Sequence, residues 1–321
     1  MYWRLFLIVC ICFSSCKDTS TDVPSTEISN RLIKVKLYLP DAEKGYYQAT
    51  RFDWSGIIAA LEFKGHHYFS QWFPEYDPKL HEAVLGPAES FTVIDYQQAE
   101  VGSEFLRIGV GGLQKEDSRR HDDFRLYPIS NPGKWIIKKS ANQVVFTHEI
   151  KDVAGYSYLY AKTVRLTKGK PEMVLEHTLK NTGKKTIQTE VYNHNFFTID
   201  HEPTGPNVRI HFPMEVTGRW NRENSPVIIE DNSFSYPRYF EPNETVYMGN
   251  VLRQAQTAKD YDFRIENIKT GAGVRITCDR PFSKLNFWAS SKTSCPEPFM
   301  DVNVPPGEQF TWTITYEFYE F

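Results

Sequence analysis

Hydrophobic and polar residues alternate along most of this chain with a period of two residues. In the C-terminal stretch, large apolar side chains occupy every second position: Phe310, Trp312, Ile314, Tyr316 and Phe318. Such alternation is typical of a β-strand with one buried face, because successive side chains point to opposite sides of the strand. After residue 30, no stretch keeps the 3.6-residue period of an amphipathic helix. The pattern therefore predicts an all-β chain.

Short runs of turn-forming residues separate the alternating stretches and predict antiparallel connections. The predicted hairpins join 134–139 to 143–150 and 263–268 to 273–278, and a predicted meander follows 156–166, 173–179 and 186–197. No change of composition divides the chain after residue 30. We therefore predict one domain, residues 31–321, in which large antiparallel sheets pack face to face as a β-sandwich.

The first 30 residues follow a different pattern. Arg4 precedes an apolar run at 5–13, which is too short to cross a bilayer because a membrane-spanning helix takes about 20 residues. Two serines then precede Cys16, an arrangement that resembles the bacterial lipobox, where cleavage leaves an acylated cysteine. We predict a lipoprotein signal peptide at 1–15 and a flexible polar tether at 16–30. The alternative is an ordinary secretory signal that is cut nearby.

This N-terminus predicts a membrane-anchored lipoprotein that is periplasmic or exposed at the cell surface and contacts the membrane only through the lipid on Cys16. The formal net charge is −3. We predict no nucleic-acid partner, because such proteins contact phosphates through clustered basic residues. Cys278 and Cys295 remain in a compartment that permits disulfides. We expect them to be unpaired, because a chain of this length needs no disulfide to stabilise its core.

The stretch 190–200 carries the clearest candidate chemistry. It begins as an alternating strand and then places His194 between Asn193 and Asn195, ahead of two phenylalanines. Strands favour apolar and β-branched residues, so three successive polar side chains beside aromatic rings indicate the wall of a pocket. The alternative is a buried histidine whose hydrogen bonds are satisfied by its neighbours.

Two stretches resemble galactose mutarotases and other aldose 1-epimerases. Residues 192–197, Tyr-Asn-His-Asn-Phe-Phe, are similar to the Asn-His-x-x-Phe segment of that family, and residues 294–299 are similar to its late Glu-Pro segment. The resemblance implies a large β-sandwich with a sugar site on a concave sheet face. It also implies that His194 is the general acid and Glu297 the general base, on opposite sides of a sugar whose anomers they interconvert.

The same resemblance assigns further residues to sugar binding. Arg51 corresponds to an early arginine of the family, and Asp260, three residues before Phe263, corresponds to a late aspartate. Other candidates for the sugar pocket are Asn193, His67, Lys115 and Trp288, with Trp54 and Trp72 as further aromatic candidates. The predicted partner is a mono- or oligosaccharide, and the resemblance implies no cofactor.

The chain departs from the family at 108–115, where an early His-Gly segment is replaced by a glycine-rich stretch that ends in Lys115. Lys115, His67 or His81 are the candidates to replace the missing histidine. His66 and His67 are neighbours on a predicted strand and point to opposite faces, so they cannot chelate one metal ion, and we predict no metal site. The departure leaves two other functions open: carbohydrate binding without turnover, and a role in glycoside hydrolysis or lyase chemistry.

Overall fold

The structure, a computed structural model, describes residues 23–217 and 226–321. The predicted signal peptide, the lipid site at Cys16 and the first part of the predicted tether lie outside the described residues. The described residues of the first half form strands β1 (Ser25–Ser29), β2 (Ile33–Tyr38), β3 (Ile57–Phe63), β4 (His66–His67), β5 (Gly86–Phe91), β6 (Glu104–Arg107), β7 (Gly111–Gln114), β8 (Ile129–Asn131), β9 (Lys134–Lys139), β10 (Gln143–Val153) and β11 (Tyr156–Leu166).

The described residues of the second half form strands β12 (Glu172–Asn181), β13 (Ile187–Phe196), β14 (Val208–His211), β15 (Ile228–Glu230), β16 (Ser233–Ser235), β17 (Thr245–Met248), β18 (Asp262–Asn267), β19 (Ala272–Cys278), β20 (Lys284–Ser290), β21 (Thr293–Val304) and β22 (Gln309–Glu320). Two single 3₁₀ turns interrupt them, at Ile199–His201 and Ala258–Asp260. In the part of the chain that the structure describes, no helix is long and apolar enough to cross a membrane.

The strands form four sheets. The largest has ten strands in the order β15-β16-β14-β18-β19-β22-β12-β11-β10-β9, and the second has five in the order β17-β20-β21-β13-β5. A four-stranded sheet, β1-β2-β3-β4, and a three-stranded sheet, β6-β7-β8, complete the domain. Neighbouring strands pair antiparallel, for example β10 with β11 and β13 with β21. The predicted fold class, a large antiparallel β-sandwich, is confirmed.

The ten-stranded and five-stranded sheets face each other across the core. On β22 the alternation predicted from the sequence is present, since Trp312, Ile314, Tyr316 and Phe318 are all completely buried. The hydroxyl of Tyr316 crosses to the five-stranded sheet, where it meets the Asn193 side chain at 3.1 Å. The five-stranded sheet thus has one face against the larger sheet, and its other face is free to build a site.

The N-terminal strand differs from the prediction for this segment. Residues 25–29 were expected to be part of a flexible tether, but they form β1 and pair with β2 along its length. The polar composition concealed the strand, because its only large apolar residue, Ile28, is the one that enters the core and is 2 % exposed. Among the described residues, strand pairing thus begins at Ser25, inside the predicted tether.

The glycines at 109–112 have a structural explanation. Gly109 has a φ of +77°, and a Cβ added there would lie 2.4 Å from a carboxylate oxygen of Asp53. A Cβ added at Gly111 would lie 2.2 Å from the Asn131 carbonyl oxygen. Glycine is required where two segments approach this closely. Gly109 thus allows the turn before β7 to pack against Asp53, and Gly111 allows β7 to pack against the residues of β8.

Candidate functional site

A cleft of about 310 Å³ lies on the face of the five-stranded sheet that points away from the ten-stranded sheet. Its lining includes five aromatic side chains other than histidine, two carboxylates, two imidazoles and one guanidinium. The lining residues are Arg51, Trp72, His81, Glu82, Phe124, His194, Phe196, Thr245, Tyr247, Trp288 and Glu297. Aromatic rings with a few convergent polar groups are typical of a small-molecule site.

His194 and Glu297 meet at the floor of this cleft. The Nε2 atom of His194 lies 2.9 Å from the Oε1 atom of Glu297, and the two residues are 3 % and 6 % exposed. They come from adjacent strands: β13 pairs with β21 up to Tyr192 opposite Phe299, and the same register two residues further on places His194 opposite Glu297. The structure therefore brings both predicted catalytic residues together, side by side on one face of the sheet.

Aromatic rings surround the His194 imidazole. It stacks on Phe196 with ring centroids 3.7 Å apart, and it meets the edges of Trp288 and Phe52 at 5.5 and 5.9 Å. Burial lowers the pKa of His194 below 6.5; the Glu297 carboxylate opposes this shift and the Arg51 guanidinium adds to it. An imidazole in these surroundings gives up its proton more readily than a solvated one.

Two buried polar atoms at the cleft have no hydrogen-bond partner among the described residues: Nδ1 of His194 and Nε of Arg51. An ionised carboxylate can only accept, so the contact with Glu297 assigns a proton to Nε2 of His194 and, in the neutral ring, a lone pair to Nδ1. An unsatisfied buried polar atom costs free energy. A ligand that carries hydroxyl groups, or water, would satisfy both atoms.

Arg51 is held at one wall of the cleft. Its Nη2 donates to the Tyr192 hydroxyl at 3.1 Å, and its guanidinium lies over the rings of Phe52 and Phe124 at 4.7 and 5.0 Å. Phe124 is 60 % exposed, so one side of this arrangement faces solvent at the mouth of the cleft. The structure thus brings Arg51 to the same cavity as His194 and Glu297.

Trp288 and Trp72, both proposed from the sequence, also line the cleft, where their rings meet edge to face at 5.3 Å. His81, one of the candidates to replace the missing histidine, lines it as well. Burial lowers the pKa of His81, and Arg51 adds to this effect. Trp54 instead lies in the core, where its Nε1 donates to the Ala49 carbonyl at 2.9 Å.

Asn193 and Lys115 were expected to contact sugar, and the structure places their side chains elsewhere. Asn193 precedes His194 on β13 and therefore points to the opposite face of the sheet, where it donates to Glu89 at 3.0 Å. The Lys115 ammonium donates to the carbonyl oxygens of Tyr96 and Ala99 at 3.0 and 2.9 Å, and Lys115 is 8 % exposed. Both side chains are committed to holding the fold.

His67 and Asp260 also lie away from the cleft. His67 is exposed on β4, and its backbone N–H donates to Asp200 at 2.9 Å. The Asp260 carboxylate accepts from the backbone N–H groups of Gln256 and Thr257, both at 2.8 Å, and so caps its own 3₁₀ turn. Local capping explains the position of Asp260 without a ligand.

Several lining residues were not proposed from the sequence. Glu82, Phe124, Thr245 and Tyr247 come from loops and a short edge strand that are distant along the chain. Phe196 could have been found, because it lies two residues after His194 on the same strand and so shares its face. The others carry no periodic signal that would connect them to β13.

A buried polar network lies directly behind the cleft, between the two large sheets. Glu89, opposite Asn193 in the pairing of β5 with β13, forms an ion pair with Lys162 and a contact of 2.9 Å with Nε2 of His177. Lys162 also donates to the Ser55 carbonyl at 3.0 Å. Buried charges require paired, hydrogen-bonded partners, and this network supplies them. It links strand β13 to β11 and β12 of the larger sheet.

The free cysteines agree with the expectation from the sequence. Cys278 and Cys295 are both buried and unpaired with each other. Burial raises the pKa of the Cys278 thiol to about 12. Among the described residues, no group of three or more His, Cys, Asp or Glu side chains is arranged to hold a metal ion.

No protein-family model matches the sequence, and no curated protein matches it significantly. Solved structures do match. A protein from Synechocystis sp. PCC 6803 aligns with a TM-score of 0.57 at 11 % identity over 100 % of both chains. A galactose mutarotase related enzyme from Lactobacillus acidophilus aligns with a TM-score of 0.55 at 12 % identity, covering 92 % of this chain and 97 % of that one.

The aldose epimerase homologue from C. elegans aligns with a TM-score of 0.53 at 13 % identity, covering 93 % of this chain and 99 % of that chain. Identities this low carry a shared fold and leave the reaction to be argued from the site. The chain thus shares the fold of galactose mutarotase-like and aldose epimerase-like proteins.

Proposed function

We propose that this protein interconverts the α and β anomers of a sugar by acid–base ring opening, as an aldose 1-epimerase-like isomerase. The observation that carries the proposal is the contact between His194 and Glu297 at the floor of a cleft lined by aromatic rings. Aromatic faces suit the apolar faces of sugar rings. The mutarotase-like fold of the solved structures supports the same class of ligand.

In the proposed reaction, the Glu297 carboxylate takes the proton of the anomeric hydroxyl while His194, in its protonated imidazolium form, donates a proton to the ring oxygen. The bond between the anomeric carbon and the ring oxygen breaks and gives an open-chain aldehyde. Rotation of the aldehyde exposes its other face, and the two residues exchange roles as the ring closes. Both oxygens are bonded to the anomeric carbon, so an acid and a base that stand side by side can reach both of them.

The second candidate is carbohydrate binding without turnover. One observation favours it: Nε2 of His194 and Oε1 of Glu297 already contact each other at 2.9 Å, as in a structural pair. The glycine-rich stretch at 108–115 also supplies no histidine, and Lys115 is bound to backbone carbonyls. His81 is the remaining imidazole at the cleft and would have to act in place of the missing one.

Proton NMR separates the two candidates. The substrates are the freshly dissolved α-anomers of aldoses and of short oligosaccharides. We expect the purified protein to accelerate the appearance of the β-anomer signal. His194→Ala and Glu297→Gln should each lower kcat by about a hundredfold to ten-thousandfold. Glu82→Gln is the matched control, because this carboxylate lines the same cleft without touching His194. Line broadening of the sugar signals with no acceleration on any anomer would favour the binding function.

The predicted lipid anchor is a further part of the proposal and is supported by the sequence around Cys16 alone. Cells fed an alkyne-tagged fatty acid should label the protein, and the labelled form should sediment with membranes. Cys16→Ala should lose both properties. A Cys16→Ala protein that stays labelled would place the acyl group elsewhere and remove this part of the proposal.

A further inference from the structure

The backbone pairing between β13 and β21 stops beside the His194–Glu297 pair. The last paired residues are Tyr192 and Phe299. Two prolines, Pro298 and Pro296, lie one and three positions before Phe299 on β21. In an antiparallel sheet, alternate residues direct their backbone groups to alternate neighbours. The Phe299 carbonyl accepts from the backbone N–H of Ser283, which directly precedes β20. The backbone groups of residues 298 and 296 therefore point the other way, toward β13. Proline has no N–H to donate there.

A side chain bridges the strands at this point. The Asn195 amide Nδ2 donates to the Pro296 carbonyl at 2.8 Å, and Asn195 is completely buried. The Tyr316 hydroxyl lies 3.1 Å from the Oδ1 atoms of both Asn195 and Asn193. Asn193 and Asn195, on either side of His194, therefore both contact the hydroxyl of Tyr316 in the ten-stranded sheet. Asn195 also bonds to Pro296, the residue before Glu297.

We propose that Asn195 is a positioning residue that keeps His194 and Glu297 in register, with Tyr316 orienting its side chain. The proposal rests on the acid–base function proposed above. Asn195 points away from the cleft, so it acts through His194 and Glu297 and not on the sugar. Where the prolines lack a backbone donor, its Nδ2 donates across the strands to the Pro296 carbonyl and, at 3.3 Å, to the Asn193 carbonyl.

Asn195→Ala tests the proposal against a matched control. Asn181 is also completely buried on a strand, and its Nδ2 also donates to a β21 carbonyl, that of Val304, at 2.8 Å, far from the cleft. We expect Asn195→Ala to lower kcat by about tenfold to a hundredfold, because small displacements of reacting groups have effects of this size. KM should stay within about twofold, because no sugar contact is removed.

Asn181→Ala should lose stability to a similar extent in urea unfolding without the fall in kcat. Equal losses of kcat in the two variants would overturn the positioning role, as would an Asn195→Ala protein with wild-type kcat. If Asn195→Ala does not fold, Tyr316→Phe carries the test: it removes one hydroxyl and should lower kcat in the same direction with KM unchanged.

A second measurement keeps this inference separate from the epimerase proposal. In the ¹⁵N-labelled protein, the Nε2 proton of His194 should give a downfield, slowly exchanging NMR signal because Glu297 accepts from it at 2.9 Å. Asn195→Ala should weaken or abolish this signal, and Asn181→Ala should not. Loss of the signal in a protein with no epimerase activity would leave the positioning role standing and refute only the reaction. An unchanged signal in Asn195→Ala would refute the positioning role.

Discussion

Lys162 and Glu89 form an ion pair in which both side chains are 1 % exposed. The pair lies between the two large sheets, behind the strand that carries His194. The pair joins β11 of the ten-stranded sheet to β5 of the five-stranded sheet. His177 and Asn193 both contact the second oxygen of the same carboxylate, at 2.9 and 3.0 Å. The site is thus supported by a charged network that water does not reach.

Removing one partner of this pair should be strongly destabilising. We expect Lys162→Met to lower the free energy of unfolding by about 3–5 kcal/mol, because it leaves the Glu89 charge buried without its cation. The double variant Lys162→Met with Glu89→Gln should recover part of the loss. Urea unfolding of the four proteins measures the coupling. Additive effects of the two changes would contradict the interpretation.

The same carboxylate should make stability sensitive to acid. Burial raises the pKa of Glu89, but Lys162 and His177 outweigh it and lower the pKa from 4.5 to about 2. Because the pKa is lower in the folded state, the stabilisation is complete above pH 4.5 and is lost as the pH falls toward 2. The loss amounts to about 3 kcal/mol. Urea midpoints of wild type and Glu89→Gln measured across this range should converge at low pH, and parallel curves would be the contrary result.

The pH dependence of the reaction should report His194. A general acid must hold its proton, and burial lowers the pKa of this imidazole below 6.5. We therefore expect log kcat/KM to fall with rising pH around a midpoint below 6.5. Glu297 raises the pKa of His194, so an NMR titration of Glu297→Gln should give His194 a lower pKa than in wild type. A midpoint at or above 6.5 would argue against His194 as the acid.

Arg51 should contribute to sugar affinity. Its planar guanidinium fits between the Phe52 and Phe124 rings, and lysine does not reproduce that stacking or the forked donors. We expect Arg51→Lys to raise KM by about tenfold, equivalent to one hydrogen bond from a charged group. Arg125→Lys is the control, because Arg125 also lies over a ring, Tyr127 at 5.1 Å, but does not line the cleft. Equal changes in KM for Arg51→Lys and Arg125→Lys would argue against a contact between Arg51 and the sugar.

The sequence was sufficient for the sheets because their alternation is local. The strands around the turn at 140–142 and the long C-terminal strand lie where the period of two places them. The same periodicity also predicts that Asn193 points away from the cleft, because it neighbours His194 on the strand and neighbours face opposite sides. The site required more than periodicity. Phe124 and Tyr247 reach the cleft through loop paths and an edge strand whose positions depend on contacts far away along the chain.

Lys115 and Asp260 show why residue spacing alone did not predict the whole site. A lysine or aspartate in a loop has no preferred face, so its role depends on which backbone groups the fold brings near. Lys115 meets two carbonyl oxygens, and Asp260 meets two backbone N–H groups of its own turn. Neither set of partners can be recognised from residue spacing. His194 and Glu297 could be predicted to share a site because the motif around each of them is specific.

Strand β1 sets how far the domain could travel from a membrane. Because pairing begins at Ser25, a lipid on Cys16 would leave residues 17–24, eight residues, as the connecting chain. Fully extended, they span at most about 26–29 Å. A folded domain of this size has a radius of gyration of about 19 Å and therefore a diameter of about 50 Å. The connecting chain would be shorter than the domain is wide. An anchored copy would work against the bilayer surface, and it would reach only those sugars that diffuse or are delivered into that thin layer.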